Sequence, residues 1–178
     1  MEDIFIACTD NLTGFSAAIG AVFPKTEIQN CIIHQLRNSS KYVSYKDIKA
    51  LMADLRSVYA AVDEPAALDA LDAFSTRWDT KYPKISRSWR ENWANLSTYF
   101  KYLQEVRRLI YTTNSIEGFN RQLRKVTKTR SVFPTDDSLF KMLYLAMVDI
   151  TKKWTGRQRD WSVIHAQLSI YFAERMPE

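Results

Sequence analysis

Two acidic residues and a column of cations are the groups in this sequence best placed to do chemistry. Asp10 follows a short, nearly continuous apolar run, Ile4-Phe-Ile-Ala-Cys8, of the kind that forms a strand covered on both faces of an α/β sheet. Functional groups of such sheets lie at the carboxyl ends of their strands, although an aspartate there also serves as a helix cap or turn former. Glu117 is the second acid. Drawn as a helix starting near Asn114, residues 111–130 place Ile116, Phe119, Leu123 and Val126 on one stripe. Glu117, Arg121, Arg124 and Lys128 then run along roughly the opposite face. A solvated face usually mixes signs. One carboxylate at the head of several cations suits an acid that must meet a divalent metal beside a phosphate backbone. Asn114 can also cap this helix, with Glu117 as the returning half of a capping box. The two readings are compatible, because a fixed first turn would hold a catalytic side chain in place.

The charge distribution points the same way. The 178 residues carry a formal net charge of +5 and are 46% hydrophobic. That is enough to bury a core in one domain, with room for an inserted lobe. Between Lys101 and Arg130, eight Lys or Arg side chains face only Glu105 and Glu117. Positive charge concentrated around one acid is a footprint for a polyanion, and a solvated basic face is the plainer alternative. Four Gly and five Pro favour helix over a sheet-rich sandwich. Two cysteines with no secretory leader ahead of them suggest a reducing cytoplasm. No apolar run approaches the roughly 20 residues of a bilayer span, so no membrane role is expected; the partner expected from the charge is a polyanion and not a small-molecule substrate.

Several elements must position these groups. After Asp10-Asn11 and Gly14, an Ala-rich stretch predicts a helix over residues 15–22, and residues 27–33 read as a second strand closed by Cys31-x-x-His34. Zinc would need four good ligands, and only Cys8, Cys31, His34 and His165 are on offer, so this pair is more simply a buried Cys and a hydrogen-bonded His. Helices follow at residues 46–61 and 65–82, then across Trp89, Trp93 and Leu96. Pro65 and the acids before it suit a helix start. Trp89 and Trp93, four apart, share a face; most such aromatics are core, and a base-stacking role is the alternative. Asp136, Asp137 or Ser138 caps a long helix over residues 139–154 with Leu139, Met142, Leu143, Ala146, Met147 and Ile150 as a buried stripe. Gly156 ends it, and a last amphipathic helix covers residues 161–172.

The run Tyr111-Thr-Thr-Asn114-Ser-Ile-Glu117-Gly-Phe-Asn120, with Arg121, Leu123, Arg124 and Lys125 after it, resembles the motif around the last catalytic glutamate of Mutator superfamily insertion-sequence transposases. The likeness runs from Asp3-Ile-Phe-Ile through Cys31-x-x-His34-Gln-Leu-Arg37-Asn38 to residues 161–175. It implies an α/β, predominantly helical fold: a truncated RNase H-like core with two strands left and an all-helical insertion. The expected division is residues 1–44 as partial core, 45–108 as the insertion lobe and 109–178 as the C-terminal core helices carrying Glu117. By resemblance Asp10 is the second catalytic aspartate, and Asp10 and Glu117 are ligands of Mg²⁺ or Mn²⁺. The family usually shows Asp-Gly where this chain has Asp10-Asn11, a small departure because Asn also tolerates positive φ. Cys31, His34 and Asn114 lie near the site, and Arg121, Arg124, Lys125 and Lys128 contact DNA phosphates.

The family's first aspartate lies upstream of the segment matching Ile4 to Cys8. The expectation is therefore a C-terminal piece of a nucleoid-associated cytoplasmic transposase, inactive alone, that works on element ends and target DNA with copies of itself or an intact transposase. A non-enzymatic DNA-binding or dimerising fragment that regulates an intact transposase is the alternative. A helical adaptor with a basic face is a third.

Overall fold

The computed structural model describes residues 3–111, 114–128, 132–152 and 160–176, and of residues 114 and 115 the backbone only. Those residues form a mostly helical α/β protein with one two-stranded parallel sheet. They divide into two compact units, residues 1–112 with 163–178, and residues 113–162.

The first unit starts from strand β1 (Ile6–Thr9), which pairs in parallel with β2 (Glu27–Asn30), Ile6 opposite Glu27 and Thr9 opposite Asn30. Parallel strands need a crossover, supplied here by α1 (Phe15–Val22). Gly14, at φ 82°, takes the left-handed turn into that helix, a backbone state that costs glycine little. The apolar run is not covered on both faces as its composition predicts: Ile6, Ala7 and Cys8 are half-buried and only Thr9 is buried. The reason is topological. Among the described residues only β2 pairs with β1, and no residue of α1 is buried.

The second strand ends earlier than its sequence suggests. Its apolar tail, Ile32 and Ile33, belongs to helix α2 (Ile32–Ser40), and Cys31 is the N-cap rather than a strand residue. Cys31 N–H donates to the Thr9 carbonyl at 2.8 Å and Ile32 N–H to the Tyr111 carbonyl at 3.0 Å, so the backbone turns away from the ladder.

Helices α3 (Tyr45–Tyr59) and α4 (Glu64–Trp78) form the bulk of the helical part of the first unit, with Leu51, Leu55, Val58, Ala67, Leu71 and Phe74 fully buried. Asp63 caps α4 by accepting from the Ala66 N–H at 2.9 Å, with Pro65 in the first turn. The expected continuation of α4 to Tyr82 fails because Tyr82 precedes a proline and sits at φ −133°, ψ 55°. Pro83 instead opens α5 (Pro83–Glu91), and α6 (Trp93–Leu96) follows. Asn92 interrupts them, its side-chain amide bonding the Ser88 carbonyl at 2.8 Å. Trp89 and Trp93 therefore occupy two helices and not one face. Trp89 is core and donates to Ser39 Oγ at 2.9 Å, whereas half-buried Trp93 donates to Glu64 at 2.8 Å.

A 3-10 turn (Thr98–Lys101) and α7 (Gln104–Ile110) lead back to the sheet. Buried Gln29 ties the two together: its amide nitrogen donates to the Asn30 and Leu96 carbonyls at 2.7 and 3.0 Å, and its oxygen accepts from Tyr99 N–H at 2.7 Å. From α10 (Trp161–Tyr171), Ile164 joins the same core, as does Phe172 just beyond it, stacked 4.8 Å from Phe5. Arg175 then staples the chain end to the sheet, bonding Asp3 and the carbonyls of Ile4 and Lys25.

In the second unit α8 (Asn114–Thr127) lies against α9 (Asp136–Thr151). Thr135, not one of the three residues after it, caps α9 in a reciprocal box with Ser138. The α9 stripe is shallower than predicted: Ala146 is buried, Leu139, Met142, Leu143 and Ile150 are half-buried, and Met147 is exposed. The α8 stripe is shallower still, with Ile116 and Val126 exposed. Gly156 lies outside the described residues.

Replacing Gln29 with Leu roughly keeps the volume but removes the partner of the Tyr99 N–H and of the Leu96 and Asn30 carbonyls. Urea unfolding followed by tryptophan fluorescence should show a loss of at least about 3 kcal/mol, roughly one for each of three buried groups.

Candidate active site

The parallel register brings both strand ends to one edge of the first unit, where Asp10, Cys31 and His34 lie. Thr9 donates its hydroxyl to Asn30 Oδ1 at 3.2 Å, closing the gap between the strand ends. Asp10 comes next and is exposed, its carboxylate making no hydrogen bond or ion pair among the described residues. Asn11 turns inward, its Nδ2 donating to Gln35 Oε1 at 2.5 Å, and Gln35 Nε2 donates on to Ser88 Oγ at 3.1 Å. This amide relay fixes the backbone on one side of Asp10. The Asn11 Oδ1 atom is buried with no hydrogen-bond partner.

Cys31 is fully buried at the N-cap of α2, and His34 is half-buried in its first turn. Neither Cys8 nor Cys31 is disulfide-bonded. Burial, and secondarily the neighbouring Cys31, pushes the Cys8 thiol up to about 11. A thiol held in its neutral form is a poor zinc ligand. No group of three or more His, Cys, Asp or Glu able to hold a metal occurs among the described residues.

Glu117 belongs to the second unit. It is half-buried in the first turn of α8, while Arg121, Arg124, Lys125 and Lys128 are all exposed and none is paired to a carboxylate among the described residues. The Asn114 side chain, and with it the capping-box alternative, lies outside the described residues. The wider basic segment is less uniform than its composition suggests. Lys101 pairs with Glu27 at 3.2 Å, and Arg107 bonds the carbonyls of Tyr102, Val62 and Phe100 while lying 5.3 Å over the Phe100 ring. These two cations hold the fold together; the four on α8 do not.

The structure thus places Asp10, Cys31 and His34 at one sheet edge of the first unit, and Glu117 with its cations on α8 of the second. Sequence reasoning missed the Asn11–Gln35–Ser88 relay and the α2 helix that carries its middle member. The available signal was the polar spacing of His34, Gln35 and Asn38 directly after a strand end.

An α/β protein, mostly helical, with an unpaired carboxylate at a parallel-strand end and a separate acid-headed basic helix, is the class that these observations define. The chain belongs to the Mutator family of transposases, whose family model matches residues 1–157. It is 45% identical over 175 residues to a probable transposase for an ISRM3-like insertion sequence element of Sinorhizobium fredii. It is 43% identical over 175 residues to the transposase for element ISRM3 of Rhizobium meliloti, and 40% identical over 154 residues to a probable insertion-sequence transposase of Corynebacterium diphtheriae. These alignments cover 98%, 98% and 86% of this chain but 44%, 44% and 45% of the relatives, so the chain spans less than half of their length. No helix among the described residues is long and apolar enough to cross a membrane.

The Cys8 thiol gives a direct check on the sheet edge. At pH 8 the folded protein should alkylate with iodoacetamide at least tenfold more slowly than the urea-unfolded chain, because the raised value leaves roughly a hundredfold less thiolate. A folded-state value above the unfolded one also means that this group's stabilisation is intact below about pH 8 and declines as pH rises from about 9 towards 11. Denaturation midpoints across that range measure the decline.

Proposed function

We propose that this chain is part of a DNA transposase that cuts and joins DNA strands by metal-dependent phosphoryl transfer on an RNase H-like core. In this reading Asp10 and Glu117 are two of its three metal-binding carboxylates. The observation that carries the proposal is the Asp10 carboxylate, without a partner among the described residues at the carboxyl end of a parallel strand in a member of the Mutator family. An acid that merely capped or turned the chain would accept hydrogen bonds from nearby N–H groups. Asp10 accepts none among the described residues.

The donor chemistry fits a hard cation. Asp10 offers carboxylate oxygens, and the buried Asn11 Oδ1 beside it lacks a donor, whereas the nearby thiol is held neutral; oxygen ligands suit Mg²⁺ or Mn²⁺. Bound there, the metal would polarise the phosphoryl group and lower the pKa of the attacking water or hydroxyl. The third carboxylate comes, in this proposal, from outside the 178 residues. Support for Glu117 as a metal ligand comes from the family: residues 111–125 resemble the run around the last catalytic glutamate of these transposases, and the chain belongs to the Mutator family. The unpaired cations of α8 then hold the DNA backbone, giving electrostatic affinity without sequence readout. The alternative, a non-enzymatic fragment that regulates an intact transposase, draws on the exposed apolar side chains of Leu12, Phe15 and Val22 around α1.

In an active transposase containing these residues, Asp10→Asn or Glu117→Gln should lower Mg²⁺-dependent end cleavage by roughly 10²- to 10³-fold or more while leaving end binding nearly unchanged. The 178-residue chain alone, given Mg²⁺ or Mn²⁺ and its element ends, should cleave nothing; robust cleavage would overturn the need for an outside carboxylate. The triple variant Arg121→Ala, Arg124→Ala, Lys128→Ala should flatten the dependence of log affinity on log salt by about 2 to 3, read by fluorescence anisotropy on duplex DNA.

A further inference from the structure

A second site lies among the helices of the first unit, where the end of α2, the turn that follows it and the start of α5 line a hollow of about 560 Å³. That is within the size range of small-ligand pockets. Its walls are aromatic and aliphatic, chiefly Tyr42, Val43, Tyr82 and Ile85, and no carboxylate lines it. Lys81 and Lys84 do.

The Tyr82 ring is fixed from behind. Its hydroxyl donates to Asp47 Oδ2 at 2.7 Å and accepts from the Ser44 N–H at 3.2 Å. Lys81 neutralises the same carboxylate and lies 5.3 Å over the Tyr82 ring. Tyr42 stands on the other side of the sequence turn, 81% exposed, with Lys41 Nζ 5.4 Å over its ring. Neither Lys41 nor Lys84 has a carboxylate partner among the described residues. The Asn38 side chain, also lining the hollow, is exposed and makes no hydrogen bond there. The floor asks for nothing: Ser39 and Ser88 are already bonded to Trp89 and Gln35.

An anchored ring, an exposed ring, two unpaired ammonium groups and an unused amide suit a ligand that is flat, polar at its edge and anionic. An unpaired nucleotide has these features: a face that stacks on aromatic rings, an edge that bonds an amide and a phosphate that meets lysine. Paired bases bury their faces in the stack and would not enter. An acidic peptide would satisfy the lysines but leave the rings without a flat partner.

We propose that this hollow receives an unpaired nucleotide of the DNA substrate, its base against the Tyr42 and Tyr82 rings, its edge on Asn38 and its phosphate on Lys84 and Lys41. The proposal rests on the transposase reading above for the presence of DNA, and it assigns the helical lobe the task of holding single-stranded ends.

Fluorescence anisotropy on the full chain separates the two ideas. The probes are a blunt duplex and the same duplex carrying a short single-stranded thymidine tail. The wild type should bind the tailed duplex about tenfold more tightly, the scale of one stacked base. The double variant Tyr42→Ala, Lys84→Ala, at two exposed positions, should lose that advantage and keep its blunt-duplex affinity. Tyr42→Trp should retain the advantage. The α8 triple variant should weaken both probes alike and keep their ratio. A wild type indifferent to the tail, or a tail advantage that survives the double variant, overturns the pocket while leaving the α8 reading intact. A tail advantage that depends on Tyr42 and Lys84, alongside duplex binding that ignores the α8 cations, upholds the pocket and removes the duplex-binding role of α8.

Discussion

Everything at the sheet edge depends on the buried amide of Gln29. A two-stranded parallel sheet is a weak structure by itself, because a pair of short strands cannot cover its own faces or satisfy its outer backbone groups. Here the inner strand is anchored by one side chain that uses its nitrogen twice and its oxygen once, reaching Leu96 and Tyr99 across almost seventy positions of sequence. The Thr98 hydroxyl adds a bond to the Ile28 carbonyl at 2.7 Å. The low local dielectric that makes such bonds strong also makes their loss costly, so the sheet and the lobe are held in one geometry. Asp10 inherits that geometry because its neighbours on both sides, Thr9 and Asn11, are bonded into it.

Much of this arrangement was legible in the sequence, and what was not has physical causes. The first strand and the first helix could be read because apolar runs bounded by Gly and Pro have few alternatives. The Ser44 to Trp78 helices were equally clear from their spacing, and the Asp63-Glu64-Pro65 start announced itself. The end of β2 was not legible, because Ile32 and Ile33 continue an apolar strand pattern and the capture of Cys31 and Ile32 N–H groups by distant carbonyls is a tertiary event. The break at Asn92 escaped for a similar reason: Trp89 and Trp93 have helical spacing, and only an asparagine that turns back to its own preceding turn ends the helix between them.

The charged candidates could be named from the sequence and the neutral groups around them could not. Asp10 was singled out by the family resemblance, and the α8 cations because a one-signed column is unusual on a solvated face. The Asn11–Gln35–Ser88 relay could not, since amides and hydroxyls occur throughout the surface and only three-dimensional contact gives these three a common purpose. The apolar stripes gave the opposite error. Met147 read as buried from spacing and is exposed, as are Ile116 and Val126 of the α8 stripe, because an amphipathic pattern specifies a face and not what covers it.

Hydrogen-bond accounting separates structural charge from charge available to a ligand, which net charge cannot do. Within one basic segment Arg107 spends its guanidinium on three backbone carbonyls and Lys101 closes an ion pair to the sheet, so neither can be withdrawn without disturbing the fold. The α8 cations have no such obligations, and Lys41 and Lys84 of the lobe share that state. An unpaired cation on a surface is ordinary when it stands alone among mixed signs. Four on one helix with no acid below Glu117, and two more beside an acid-free aromatic hollow, are a cost in mutual repulsion that a folded protein has no internal reason to bear. A polyanion offsets that cost at either place.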